Sequence, residues 1–357
     1  MHRPTFTLQL GSLRATSEEP AGGPRALVVD RDMDVPADVL HVELESLSGV
    51  ELEGEVTLAL GYDGENERVF TGVVTEIRGG ISGVTVTALG TLGALLELRT
   101  ATTYKDRLVG AIVGDLIDQA GLEAGTVSSG PTLPRFVVDR RRSAFAHVKG
   151  LADRLGYELY ADRDGRVMFH ALGDDVGLDA GGGLLGAGGG ALMAAAGGAL
   201  MAAAGGAGGE DYAYGKHLLD ATAARKRKGP GGVQVGGESP TSSQGSATAH
   251  WLTTGDEELR GEAGEGEPVL TVVDAAARTK DLADRFAAGH LARAGRNARQ
   301  LRVTVGGRPG LELGDAVSVS DRRGTPLSGR GYVRALRHEL GGATGFVTRL
   351  RVREAGA

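Results

Sequence analysis

The chain contains no cysteine in its 357 residues. That excludes a disulfide framework, a thiolate metal site and a cysteine nucleophile, and fits a reducing compartment. Aromatic residues are scarce, 4% with a single tryptophan, so any core must rest on Val, Leu, Ile and Ala. Neither sign of charge dominates. With 39 basic and 46 acidic residues the net charge is −7, which gives no support to nucleic acid as the main partner. The opening Met1-His2-Arg3-Pro4-Thr5-Phe6 carries no apolar run of signal-peptide length. What is plentiful is glycine, 60 residues against a usual share of about 7%. The length suits two or three domains.

Catalytic signatures are missing too. The eight histidines (His2, His41, His147, His170, His217, His250, His290, His338) show no H-x-x-x-H or H-E-x-x-H spacing. No Gly-x-Ser-x-Gly elbow announces a hydrolase. Gly110 to Gly114 lies inside a helical pattern without the Lys-Ser/Thr ending of a phosphate loop. Asp162 and Asp164 occupy a turn, where Asp is favoured for backbone reasons, and the hairpin offers too few oxygens for Ca²⁺. The expectation is therefore no catalytic, cofactor or metal site, no cofactor, and no enzyme.

The patterning is mainly β. Over residues 1–104, Phe6, Leu8 and Leu10 alternate with polar residues, as do Val42 and Leu44, Val56, Leu58 and Leu60, and Val84, Val86 and Ala88, with Val69, Val73 and Ile77 between. Asp63-Gly64 and Gly79-Gly80 punctuate them, as in an antiparallel barrel. Residues 105–179 change period. Leu108, Ile112, Leu116 and Ala120 predict a helix stopped by Gly121. Ser143 caps a second helix striped by Phe145, Val148, Leu151 and Leu155 and ended by Gly156. A hairpin follows across Asp162-Arg163-Asp164-Gly165.

Residues 180–209 hold only Gly, Ala, Leu and Met, with a tandem repeat of Gly-Ala-Leu-Met-Ala-Ala-Ala-Gly at 190–197 and 198–205. The length reaches the roughly 20 residues of a membrane span. Thirteen glycines, each costing a helix about 1 kcal/mol against alanine, favour an inserted loop, expected to face the interior of an assembly. Residues 210–268 read as a polar connection with Arg225-Lys226-Arg227-Lys228 and Asp256-Glu257-Glu258 in solvated loops, contributing strands to the whole. Residues 269–357 comprise a long helix, Ala275 to Ala294 capped by Asp274, and a second barrel. The fold class is thus mainly β with α+β insertions: two antiparallel, tube-like β-barrels and a helix–hairpin subdomain.

The second barrel carries the most distinctive stretch, Arg308-Pro309-Gly310-Leu311-Glu312-Leu313-Gly314-Asp315-Ala316-Val317, followed by Gly331-Tyr332-Val333, Arg337-His338-Glu339 and Gly345-Phe346-Val347-Thr348. Gly310 and Gly314 would supply tight turn conformations, and Asp315 a bond to its own turn. This "G-x-P-x-L-x-x-G-D-x-V" grammar resembles the C-terminal part of the phage late control gene D family, the baseplate hubs of contractile phage tails and contractile injection systems, and the hub portion of VgrG proteins. Gly72-Val73-Val74 resembles a strand of the hub's first barrel, and Ser143 to Tyr157 with its hairpin resembles the inserted subdomain. The chain departs from the family at Gly90-Thr91, where an Asp is frequent after the strand leading into Leu89 to Leu98.

The resemblance implies that Pro309, Leu311, Gly314, Asp315, Val317, Gly331, Tyr332, His338 and Thr348 are structural motif residues, with His338 a satisfied structural histidine. It further implies a homotrimer whose six barrels form a pseudo-hexameric ring, stacking on a six-fold inner tube and receiving a separate trimeric spike among other baseplate proteins. Such a protein assembles in the cytoplasm as part of a tail-like particle. Two readings from other classes remain at this point: a particle-associated cell-wall hydrolase, and a scaffold anchored in a membrane through residues 180–209.

Overall fold

The computed structural model describes residues 2–18, 23–46, 49–172, 210–226, 229–237, 260–296, 299–321, 327–342 and 345–354. The Gly/Ala-rich tract 180–209, Arg227-Lys228 and Asp256-Glu257-Glu258 lie outside the described residues.

Period-two sequence becomes curled antiparallel sheet. Strands β1 (Pro4–Leu10), β2 (Leu13–Thr16), β3 (Ala26–Asp32), β4 (Val39–Leu44), β5 (Glu55–Tyr62), β6 (Glu65–Gly80) and β7 (Gly83–Gly90) point Leu8, Leu10, Leu27, Val29, Val42, Val56, Leu58, Leu60 and Val86 into one core. The expected run Val69, Val73, Ile77 is only partly inward. Leu58 faces Phe70 while Ala59 faces Arg68, so Val69 is an extra residue in a bulge. Side chains beyond it change faces, leaving Val74 buried and Val73 39% exposed.

The helical period produces α1 (Leu92–Glu97), α2 (Val109–Gln119) and α3 (Ala144–Leu155), interleaved with β8 (Thr102–Leu108), β9 (Ala124–Val127) and β10 (Thr132–Val138), then β11 (Glu158–Ala161) and β12 (Val167–His170). Ser143 Oγ accepts from Ala146 N at 3.2 Å, and Gly156 ends α3 in the left-handed conformation at φ 71°, as the sequence predicts. The Leu-rich segment after β7 does not extend the strand. It turns into α1, which buries Leu92 and Leu95.

Residues after the Gly/Ala tract divide between two cores. β13 (Glu210–Ala213) and β14 (Leu218–Arg225) join β18 (Arg299–Gly306), β19 (Ala316–Ser320), β20 (Gly329–Gly341) and β21 (Gly345–Glu354) around Leu301, Val303, Leu311, Leu313, Val317, Leu336 and Leu350. Between them, β15 (Gly232–Gly237), β16 (Arg260–Ala263), β17 (Val269–Asp274) and α4 (Lys280–Gly295) return to the helical unit. Val233, Val235, Leu282 and Phe286 share the core of Ile112, Leu116, Val148 and Leu151. The long helix thus packs on α3 rather than on the second barrel's sheet, and Val233 and Val235 are core residues within a stretch whose sequence reads as polar. The helix also starts later than expected. Thr279 Oγ1 caps it, accepting from Leu282 N at 3.2 Å. Asp274 instead ends β17, accepting from Ala276 N at 2.9 Å and pairing with Arg154 at 2.5 Å.

The two curled units are a single hydrogen-bonded sheet. β3 pairs antiparallel with β20 from Ala26/Gly341 to Asp32/Ala335. The path runs β14-β18-β21-β20-β3-β4-β7-β6-β5-β1-β2, with β19 and β13 branching from β20. Because Phe286 is fully buried where α4 meets this composite core, Phe286→Ala should destabilise the protein by about 3–5 kcal/mol, read as a lowered urea midpoint with an unchanged slope.

Candidate functional site

The distinctive loop before β19 is where the three cores meet. Leu311 and Leu313 are buried in the second unit, which turns the intervening Glu312 toward the other two. Gly314 has φ 90°, the left-handed conformation the motif calls for. Asp315 Oδ2 accepts from Glu312 N at 2.8 Å, closing the turn on itself. Gly310 differs from expectation. Its φ is not positive, and its role is a carbonyl that accepts from Arg163 Nη2 at 2.6 Å. Gly331 faces Val317 across the ladder, and a Cβ there would lie 1.8 Å from the Arg353 carbonyl oxygen, so only glycine lets these strands close.

Thr348 and His338 are directly paired between β20 and β21. The Thr348 hydroxyl accepts from Arg308 N at 2.9 Å and lies 3.0 Å from His338 Nδ1. One hydroxyl can accept from the first and either donate to or accept from the second, according to the imidazole tautomer. The other ring nitrogen, Nε2, is buried and has no hydrogen-bond partner among the described residues. Burial, with Arg31 and Arg163 nearby, pushes His338 down to about 3. Tyr332 is buried beside this loop, while Pro309 is half-buried.

Two buried guanidiniums hold the units in register. Arg31 on β3 is 1% exposed. It donates to Asp38 at 3.1 Å, to Glu312 at 2.9 Å and to the Ala161 carbonyl at 2.9 Å, taking one partner from each core. Burial opposes its charge, but Asp38 and Glu312 outweigh that and hold its pKa above the usual value. Burial pushes Asp38 up to about 6 against the pull of Arg31; with a permanent cation as its donor, the carboxylate is the form this geometry fits. Arg163, in the hairpin turn, bonds Glu312 and reaches Glu67 on β6 at 2.8 Å.

The second guanidinium, Arg334, is the extra residue of a bulge between Val333 and Ala335, which aims it inward. It pairs with Glu158 of β11 at 2.5 Å and Asp34 at 2.6 Å. Glu158, 1% exposed, also pairs with Arg296 at the end of α4 at 2.9 Å. Glu312 lies in the distinctive loop, and Glu158 and Arg163 in the hairpin the sequence announces, but none of them stands out there as a buried partner. Arg31 and Arg334 sit in strands, and the one available signal was a charge at an inward position of each strand.

The opposite face of the sheet is polar and crosses both units without a break. One row runs Asp220, Thr304, Arg349, Arg337, Asp30, Val39 and Leu89 across seven strands. Cations and carboxylates interdigitate on it: Arg337 with Asp30 at 2.7 Å, Arg349 with Glu339 at 3.1 Å, Arg351 with Asp32 at 2.5 Å. Its curl makes a trough of about 930 Å³ floored by Val35, Ala37 and Leu336. Two stretches bordering this face have an open side among the described residues. β14 pairs only with β18, and residues 76–80 of β6 pair only with β7. Among the described residues no group of three or more His, Asp or Glu is placed to hold a metal ion, and no helix is long and apolar enough to cross a membrane.

This architecture is a β-rich fold shared with solved tail proteins. The chain superimposes on a 43 kDa tail protein of prophage MuSo2 from Shewanella oneidensis at a TM-score of 0.65, with 12% identity, covering 98% of each chain. On a tail protein from Neisseria meningitidis the TM-score is 0.67, with 15% identity over 99% of this chain and 97% of that one. On an Escherichia coli component of the type VI secretion system, described as structurally similar to bacteriophage T4 tail proteins, it is 0.58, with 9% identity over 98% and 77%. In sequence, no family model and no curated protein matches.

Two outcomes follow from the loop. Glu312→Ala leaves Arg31 buried with one of its two carboxylate partners and takes from Arg163 one of its two, so a loss of about 3–5 kcal/mol is expected in chemical denaturation. His338 takes a proton in the unfolded chain near pH 6.5 but in the native state only near 3. The unfolded state therefore binds more protons throughout that window. Stability should fall as pH drops from 6.5 toward 3, and His338→Gln should flatten that slope whatever it does at neutral pH.

Proposed function

We propose that the protein is a structural, non-enzymatic baseplate hub of a contractile injection system or contractile phage tail. It acts as a homotrimer whose six half-barrels form a pseudo-hexameric ring between a six-fold inner tube and a three-fold spike. The carrying observation is the β3–β20 pairing, which makes two similar curled units one sheet with one polar face, open along the outer side of β14 and along the overhang of β6 at residues 76–80.

Open edges are templates for strand addition. Strand directions alternate from β14 to β6, so β14 of one copy meets residues 76–80 of the next in antiparallel sense. Repetition about a three-fold axis closes the ring. Two units per protomer then present six near-equivalent surfaces to the tube, while the protomers themselves present three to the spike. The polar face lines the inside. Pro309, Leu311, Gly314, Asp315, Val317, Gly331, Tyr332, His338 and Thr348 serve as the structural motif that sets the second unit against the first. The partners are the inner tube protein, the spike and other baseplate proteins, within a tail-like particle.

Light scattering on the purified chain tests this. A mass near three times 36.7 kDa and co-migration with tube and spike proteins are expected. A monomer that joins neither would overturn the proposal.

A further inference from the structure

We infer that the β8–β10 ribbon docks the acidic turn at residues 51–55 of a second copy of this chain. The inference rests on the trimeric ring and names the side-chain contact that orients one protomer on the next. The ribbon carries an unfavourable pairing: Lys105 and Arg135 stand directly opposite in its antiparallel ladder, both exposed. Like charges so placed repel, and no described ion pair or side-chain hydrogen bond offsets them. Arg107, exposed but paired with buried Leu133, lies beyond Asp106, whose φ of 46° is unusual for a non-glycine residue. Arg140 and Arg141, also exposed and without a described ion pair, extend the strip. The nearest carboxylate there, on Asp139, is turned to the Arg141 backbone at 2.8 Å. On the outward face beside Lys105 and Arg135 lies Val137, 53% exposed, paired with Thr103. The ribbon is thus an apolar spot in a cationic strip.

The complement is on the first unit. Glu51, Glu53 and Glu55 are exposed around Leu52, which is 59% exposed, and no described ion pair uses them. The turn is held by its backbone: Glu53 N donates to the Val74 carbonyl and Val74 N to the Gly54 carbonyl, both at 2.9 Å, with Glu53 at φ 64°. It presents three carboxylates around one apolar side chain, matching in sign and layout the cations around Val137. An apolar anchor ringed by opposite charges is a common interface plan. Turn and ribbon belong to different units, so the contact between copies is heterologous, and rotation closes it.

The test is light scattering over a protein dilution series at two salt concentrations. It compares the wild type with Lys105→Glu/Arg107→Glu/Arg135→Glu, with Glu51→Lys/Glu53→Lys/Glu55→Lys, and with one chain carrying both sets. All six side chains are exposed, and circular dichroism verifies each fold. The expected result is that each set alone raises the concentration needed for the trimer by at least about tenfold, while the combined chain recovers it. A trimer indifferent to both sets overturns this contact and leaves the hub reading intact. Weakening by the ribbon set without recovery in the combined chain also overturns it, because the ribbon's anionic partner is then not this turn. A wild type that is monomeric alone and with tube protein overturns the contact and the ring together.

Discussion

The arrangement of the three cores depends on two guanidiniums that cannot be buried unless all three cores supply their partners. An unpaired charge in a protein interior costs several kcal/mol. Arg31 is compensated only when the β3–β4 connection, the β11 terminus and the loop before β19 converge on it. Arg334 imposes the same demand from the other sheet unit, needing Glu158 of the helical unit and Asp34 beside β3. Such pairs do not add much net stability over an apolar core. Their effect is to make other relative placements of the units expensive. That is the property the proposed ring would require, since its two units would have to present nearly equivalent surfaces.

With that register held, the β3–β20 ladder acquires its consequence. Two small antiparallel units could have been joined by a flexible connection. Instead their polar faces merge, and Asp30 and Arg337 meet across the joint as neighbours in one row. The loop carrying Gly314 and Asp315 joins the three cores: its leucines anchor one core while Glu312 and the Gly310 carbonyl grip the other two. The structural likeness to tail proteins shows this fold, and the open strand sides supply a physical route from that fold to the proposed ring.

Much of this was legible in the sequence where the determinants are local. The alternations of β1, β4, β5 and β7, the caps Ser143 and Gly156, the Asp-Gly hairpin and the turn at Gly314 and Asp315 depend on neighbours within a few residues. Elements whose identity depends on distant partners were misread or missed. β3 escaped notice because its inward Arg31 breaks the apolar alternation, and that residue is the one the joint requires. Asp274 has the composition of a helix cap, but Arg154, 120 positions away in sequence, claims its carboxylate. Val73 misleads because a bulge opposite Leu58 and Ala59 reverses the faces beyond Val69, which is itself buried.

The sequence by itself determined the class of the fold, the two kinds of period, the turn chemistry of the loop before β19 and the absence of thiol chemistry. These follow from steric and hydrogen-bonding preferences that act over one turn or one hairpin. The tertiary structure alone decided which core each segment joins, that α4 lies on α3, that β3 and β20 pair, and that scattered charges become the partners of two buried guanidiniums. Those outcomes rest on desolvation and on strand pairing between residues up to three hundred positions apart, and such terms have no value until the chain has brought both partners out of water.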